Sequence, residues 1–215
     1  MSIVALLLPL LAAAEPNWKP TQYQVSHWGP REGLPEEAIT GLVQDRDGFL
    51  WIATMNGLVR FDGQYFQVFV PPHTDRPVSP SFRQLAYDEK TGELWAGQSK
   101  GQVARYRDRL FQTVAVQRET NAATLGSLDG RAVIFGWHDT WQSNAGELSP
   151  LSAVPAALRG RVTALHRDAS ALWIGLRDGR LFRAAGGEPR LVLHAHEPIL
   201  AIEHDARTGA VWALH

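Results

Sequence analysis

Ile39-Thr-Gly-Leu-Val-Gln-Asp-Arg-Asp-Gly-Phe-Leu-Trp-Ile-Ala-Thr-Met-Asn-Gly-Leu-Val-Arg-Phe-Asp-Gly63 alternates short apolar runs with glycine-bearing turns. Asp45-Arg46-Asp47-Gly48 reads as a tight turn, because glycine takes positive φ without a Cβ clash. Apolar positions bounded by such turns predict strands over 39–44, 50–54, 57–61 and 65–70, so one unit contains four short strands.

The unit recurs. Trp51, Trp95, Trp173 and Trp212, four of the eight tryptophans, lie at intervals of 44, 78 and 39 residues. The middle interval spans two periods, and near its centre Asp129-Gly130-Arg131-Ala132-Val133-Ile134 keeps the turn and loses the aromatic. Gly48, Gly92 and Gly209 each precede a Trp by three residues, and Gly57, Gly101 and Gly179 follow one by six. A period near 40 residues means stacked supersecondary units with a continuous core. A four-stranded sheet buries little alone, so the indole is expected to fill the space between neighbouring sheets, its N–H satisfied by a loop carbonyl. The expected fold is all-β: a β-propeller of four-stranded antiparallel blades, near 36–70, 80–116, 122–152, 160–193 and 198–215. The last blade ends inside its second strand, giving about four and a half blades and an incomplete ring. Tyr23-Gln24-Val25 matches Phe66-Gln67-Val68 and is expected as an outermost strand closing the last blade.

The beginning of the chain carries a different signal. Ile3 to Leu11 is almost wholly apolar and Ala12-Ala13-Ala14 offers an A-x-A cleavage pattern, so residues 1–14 are expected to be a signal peptide and 15–215 the propeller. A buried N-terminal strand or helix is the structural alternative. Lys plus Arg number 21 against 22 Asp plus Glu, a net charge of -1 that does not gather a polyanion, and no nucleic acid partner is expected. The absence of cysteine removes disulfides and thiolate chemistry.

The run from Ile39 to Gly63 resembles the two-component regulator propeller repeat, with its Asp-x-x-Gly-x-Leu-Trp-Ile core followed by Gly-Leu and Arg. Leu94-Trp95-Ala96-Gly97 and Leu172-Trp173-Ile174-Gly175 repeat the core, and His27-Trp28 through Gly33-Leu34-Pro35 is similar to the lead-in before a first repeat. The resemblance implies the periplasmic sensor region of a bacterial signalling protein, normally followed by a membrane span and a cytoplasmic histidine kinase or diguanylate cyclase. It implies a membrane-anchored full-length protein, with dimerisation open, and no catalysis by this region.

Propeller ligands meet the loops at one end of the central channel, where each blade offers a different side chain. The candidate ligand-binding residues are therefore Trp28 and Arg31 on a linker, and Asn56, Lys100 and Arg177 between second and third strands. The ligand class stays open: an extracellular small molecule, a glycan or a protein partner. Arg60, Arg105 and Arg183 recur at matched positions, suiting an inter-blade seam with carboxylates such as Asp62 or Asp108, or a channel-facing ring for an anion. No cofactor or metal is expected. Asp45-x-Asp47-Gly48 begins like a calcium loop but has Asn56 where the twelfth-position Glu belongs, and His194-x-His196 is a zinc half-site without a third ligand fixed by spacing. The competing functions are an interaction scaffold and a propeller glycosidase or lyase, which would need paired carboxylates; Glu36-Glu37 is an adjacent acidic pair.

Overall fold

The computed structural model of the chain describes residues 3–6, 26–69, 80–108, 110–114, 124–205 and 207–215. After strand β1 (Ile3–Leu6), the first blade pairs β2 (Ile39–Gln44), β3 (Leu50–Thr54), β4 (Gly57–Phe61) and β5 (Phe66–Phe69) in chain order. The second contains β6 (Phe82–Asp88), β7 (Glu93–Gln98), β8 (Val103–Arg107) and β9 (Leu110–Val114). β10 (Thr124–Leu128), β11 (Arg131–Phe135), β12 (Thr140–Asn144) and β13 (Glu147–Pro150) form the third. The fourth consists of β14 (Val162–Arg167), β15 (Leu172–Leu176), β16 (Arg180–Ala184) and β17 (Arg190–His194). Last come β18 (Ala201–Asp205) and β19 (Ala210–Leu214), with β1 antiparallel to β19 as the third strand of that sheet. First strands neighbour one another in chain order, β2 to β6 to β10 to β14 to β18, which winds the sheets about a common axis. No helix among the described residues is long and apolar enough to cross a membrane.

All sheets are antiparallel, as the turn chemistry predicts. Two expectations about the ends fare differently. Residues 23–25 lie outside the described residues, whereas Ile3–Leu6, inside the expected leader, supplies the strand against β19.

Three of the four repeat tryptophans are wedged between blades: Trp51 is 3%, Trp95 0% and Trp173 2% exposed. Trp51 packs with Phe82, Leu94 and Ala96 of the second blade, Trp95 with Leu125, Ala132 and Ile134 of the third, and Trp173 with Ile202, Val211 and Ala213 of the last. Trp212 departs from the expectation at 43% exposed, because no further sheet follows it among the described residues. The degenerate unit is repaired by a two-residue shift. Val133 takes the tryptophan's place on β11, and Phe135, where other blades hold Ala53, Gly97 or Gly175, supplies the ring. Gly126, paired with Val133, makes room: a Cβ there would lie 2.9 Å from the Phe135 ring.

The indole N–H is not met by a carbonyl. Trp51 donates to Asp45 Oδ2 at 2.8 Å and Trp173 to Asp168 Oδ2 at 2.7 Å, so the turn aspartate is the acceptor. In the second blade the turn between Asp88 and Trp95 is longer, and Asp88 accepts instead from Ser143 of the third blade. Trp95 Nε1 is left buried without a partner. A charge-assisted hydrogen bond contributes about 1.5–3 kcal/mol. Trp51→Phe and Trp173→Phe are therefore expected to lower unfolding free energy by about that much beyond the loss of ring volume, and Trp95→Phe by the volume term alone. Urea denaturation of the three variants checks this, and equal losses at all three positions would contradict it.

Candidate functional site

Antiparallel pairing sends the loops between second and third strands, and the linkers that enter each first strand, to one end of the blades; the tight turns gather at the other. Backbone contacts tie each loop to its linker. Met55 N–H donates to Glu36 Oε2 at 3.1 Å, Ser99 N–H to the Ser81 carbonyl at 3.1 Å, and Arg177 N–H to the Arg161 carbonyl at 2.8 Å. The loop of the third blade is held by Thr140 Oγ1 donating to the Arg159 carbonyl at 2.6 Å. Glu36, a member of the acidic pair, is thus spent on loop anchorage. These bonds fix the backbone of the loop end while leaving its side chains free to vary, the arrangement a recognition surface needs.

The most developed feature of that end is a pair missed by residue spacing. Arg177 stacks on Trp137, its guanidinium carbon 3.7 Å from the ring centroid, and joins the loops of the third and fourth blades. Trp137 remains 48% exposed. Burial pulls the Arg177 pKa down from its ordinary value, and its guanidinium has no carboxylate partner among the described residues. A stacked cation of this kind contributes about 0.5–2 kcal/mol and presents its donors to solvent in a fixed plane. Gly136, whose N–H donates to Asp139 O at 3.0 Å, and Gly160, packed on the Trp137 carbonyl, were the available sequence signals.

Asn56 is exposed at the loop end, and Lys100 lies in the 3-10 turn Ser99–Gly101 there. Trp28 and Arg31 do not join them. Trp28 meets Phe61 edge-on at 5.3 Å, and Phe61 sits at the turn end of β4. Arg31 lies in the 3-10 helix Pro30–Glu32, and Gly33 just beyond it rests on Phe66, also at the turn end. The physical reason is coverage: the first face of the first blade, with Ile52, Val59 and Phe61, needs an apolar lid, and the lead-in with Leu34 provides it.

The repeated arginines do not form a channel ring, and of the three Arg105 alone bonds the next blade among the described residues. Arg60, Arg105 and Arg183 pair directly across from Trp51, Trp95 and Trp173, on third strands away from the axis. Arg60 and Arg105 reach Gln67 and Gln112 on the outermost strands, and Arg105 also donates to the Gly146 carbonyl of the next blade at 2.7 Å. The carboxylate beside Arg105 is buried Glu93 of its own blade at 3.4 Å, in place of Asp62 or Asp108. Asp45 Oδ1 accepts from Asp47 and Phe49 N–H, as a turn requires. His194 and His196 are both exposed, and no three His, Asp or Glu side chains gather in a metal-binding cluster among the described residues.

Residues 33–56 match the family model described as two component regulator propeller. The chain carries a two component regulator propeller repeat. That match spans the lead-in glycine, the Asp45–Trp51 turn and the first candidate loop. Among solved structures, the fold is similar to an extracellular domain assigned to the hybrid two component system BT3049 from B. thetaiotaomicron, with TM-score 0.67 and 17% identity over 87% of this chain. The chain spans 29% of the length of that extracellular domain. It is also similar to a protein described as a gluconolactonase, with TM-score 0.54 and 13% identity, over 85% of this chain and 75% of the other. Among curated proteins no relative matches.

The turn aspartates also set an acid response. Burial pushes the Asp168 pKa up, but hydrogen bonds from the Trp173 indole, from Ser170 N–H and Oγ, and from Ala171 N–H outweigh it and hold the carboxyl well below the usual range. A carboxyl that ionises more readily folded than unfolded stabilises the fold above its unfolded pKa of about 4, and that contribution fades as pH falls through the folded value. The stability gap between the native chain and Asp168→Asn is therefore expected to be full near neutral pH and to close progressively below about pH 4. Denaturation midpoints measured across that range check it, and a gap independent of pH would refute the assignment.

Proposed function

We propose that this chain is the non-catalytic propeller of an extracytoplasmic bacterial sensor, which recognises a small molecule or a partner through the loop end of its blades. The observation that carries the reading is the Trp137–Arg177 pair, an exposed aromatic platform beside an uncommitted guanidinium on loops held rigid by their linkers. Support comes also from the repeat at residues 33–56 and from the likeness of fold to an extracellular two component sensor domain. In this reading the output function resides in other sequence, and binding energy biases two arrangements of a membrane protein. The pair's chemistry favours a ligand with an apolar face and an anionic group, because indole takes the first and a planar guanidinium the second.

The purified chain is expected to gain thermal stability with at least one member of a panel of aromatic and sugar carboxylates, by the mass-action rule for native-state ligands. Trp137→Ala and Arg177→Ala should each abolish that gain while leaving the ligand-free midpoint within a few degrees. A response that survives both substitutions would move the site away from these loops, and no response to any ligand or crosslinked partner would defeat the sensor reading.

Export is part of the same proposal. Cleavage after Ala14 would remove β1 and free the β19 edge, which stays covered if the segment is retained. Mass spectrometry of the chain expressed in a Gram-negative host is expected to show periplasmic protein starting at Glu15. Full-length protein beginning at Met1 would instead assign Ile3–Leu6 to the fold.

A further inference from the structure

A second concavity lies at the opposite end of the blades, among the tight turns. It is a cleft of about 180 Å³ between the first and second blades. Trp51, Tyr87, Leu94 and Tyr106 line its inner part. The rim is charged: Asp45, Arg46 and Asp47 come from the β2–β3 turn, Arg60 from β4, and Arg107 and Asp108 from the end of the second blade.

Most of those charges are already committed. Both Asp45 oxygens are taken, by two backbone N–H groups and the Trp51 indole. Arg107 pairs with Glu93 at 3.2 Å and with Asp108 at 3.3 Å. Arg60 gives one nitrogen to Gln67 at 2.9 Å and lies 4.5 Å over the Phe49 ring, with no carboxylate contact among the described residues. The side chains of Arg46 and Asp47 make no hydrogen bond or ion pair among the described residues. Arg46 crosses the seam to rest on Gly92 of the second blade, where a Cβ would stand 2.8 Å from its Nη2. Gly92 therefore serves two ends, a left-handed turn at φ 73° and a seat for the guanidinium.

We propose that this cleft binds a small α-amino acid in its zwitterionic form. The carboxylate is held by the Arg46 and Arg60 guanidiniums, and the ammonium by Asp47 against the aromatic lining. Charge balance selects such a ligand. Three arginines face three aspartates around the rim, so a simple anion or cation meets as much repulsion as attraction, whereas a dipolar molecule satisfies both signs at once. Size agrees, since 180 Å³ is the room of about six waters, or of a ligand as small as alanine or serine. The Tyr87 hydroxyl lies beside the Arg46 backbone and, neutral at physiological pH, adds an uncharged polar group to the lining. This site shares no residue with the loop-end pair, so either stands without the other.

Isothermal titration of the full chain with glycine, L-alanine and L-serine tests the proposal, with acetate and methylammonium as single-charge controls. At least one amino acid is expected to bind with a Kd below about 1 mM, and both controls at least tenfold more weakly. Arg46→Gln and Asp47→Asn should each weaken amino acid binding at least tenfold with an unchanged ligand-free melting midpoint, since neither side chain holds the turn. Arg46→Lys, which keeps the charge and loses the fork, should recover part of it, and Arg177→Ala should bind as the native chain does. Acetate binding as tightly as the amino acids, binding untouched by Arg46→Gln and Asp47→Asn, or no binding by any of the three amino acids would each overturn it.

Discussion

One carboxylate at a hairpin turn governs this architecture. Asp45 and Asp168 each use one oxygen to close their own turn and the other to accept the indole N–H of the tryptophan that follows. A buried indole needs a partner for its N–H, and here the partner is part of the turn that positions the strand carrying the ring. Turn, strand and inter-blade filler are thereby coupled within a few residues of chain. Each such unit presents its successor with a preformed apolar face, which lets repeated sheets stack about an axis with little long-range instruction.

The second blade shows how the coupling can be redirected. Its longer turn carries Asp88 away from the indole and toward Ser143, so the carboxylate joins two blades instead of bracing its own tryptophan. The seam between second and third blades is correspondingly polar, with Arg105 on the Gly146 carbonyl, Glu89 N–H on the Gly130 carbonyl and Gln84 Oε1 accepting from Leu125 N–H. The seams between the first and second blades and between the fourth blade and the last sheet rely on bulged threonines. Thr40 and Thr163 each bond a carbonyl of their own second strand and one beyond it, Phe82 O and Ile199 O. Each scheme bonds one blade to the next through different residues, and the second blade leaves its Trp95 indole N–H unpaired, so the repeat can diverge while its geometry persists.

The two ends of the blades divide the chemistry. The loop end is anchored by backbone bonds and varied in side chain, while the turn end is dominated by the aspartates and arginines that the repeat itself requires. Trp28 and Arg31 were misplaced by reasoning from linkers alone, because a linker that must also lid an apolar face runs along that face and not over the loops. Arg177 was legible as a loop residue, yet its partner Trp137 was not: the two are distant in sequence and meet only when consecutive blades are laid side by side.

The amino-acid sequence by itself determined the strands, their glycine turns, the four-stranded unit and the tryptophan period, because each depends on contacts within a few residues, where turn chemistry and alternation act. The tertiary structure alone decided which indoles are enclosed, that Phe135 substitutes for a missing ring, that Arg105 bonds the next blade, and that a charged cleft opens between the first two sheets. Those outcomes depend on how one sheet's face meets the next. That meeting is set by turn lengths and packing across the seam, which no local pattern records.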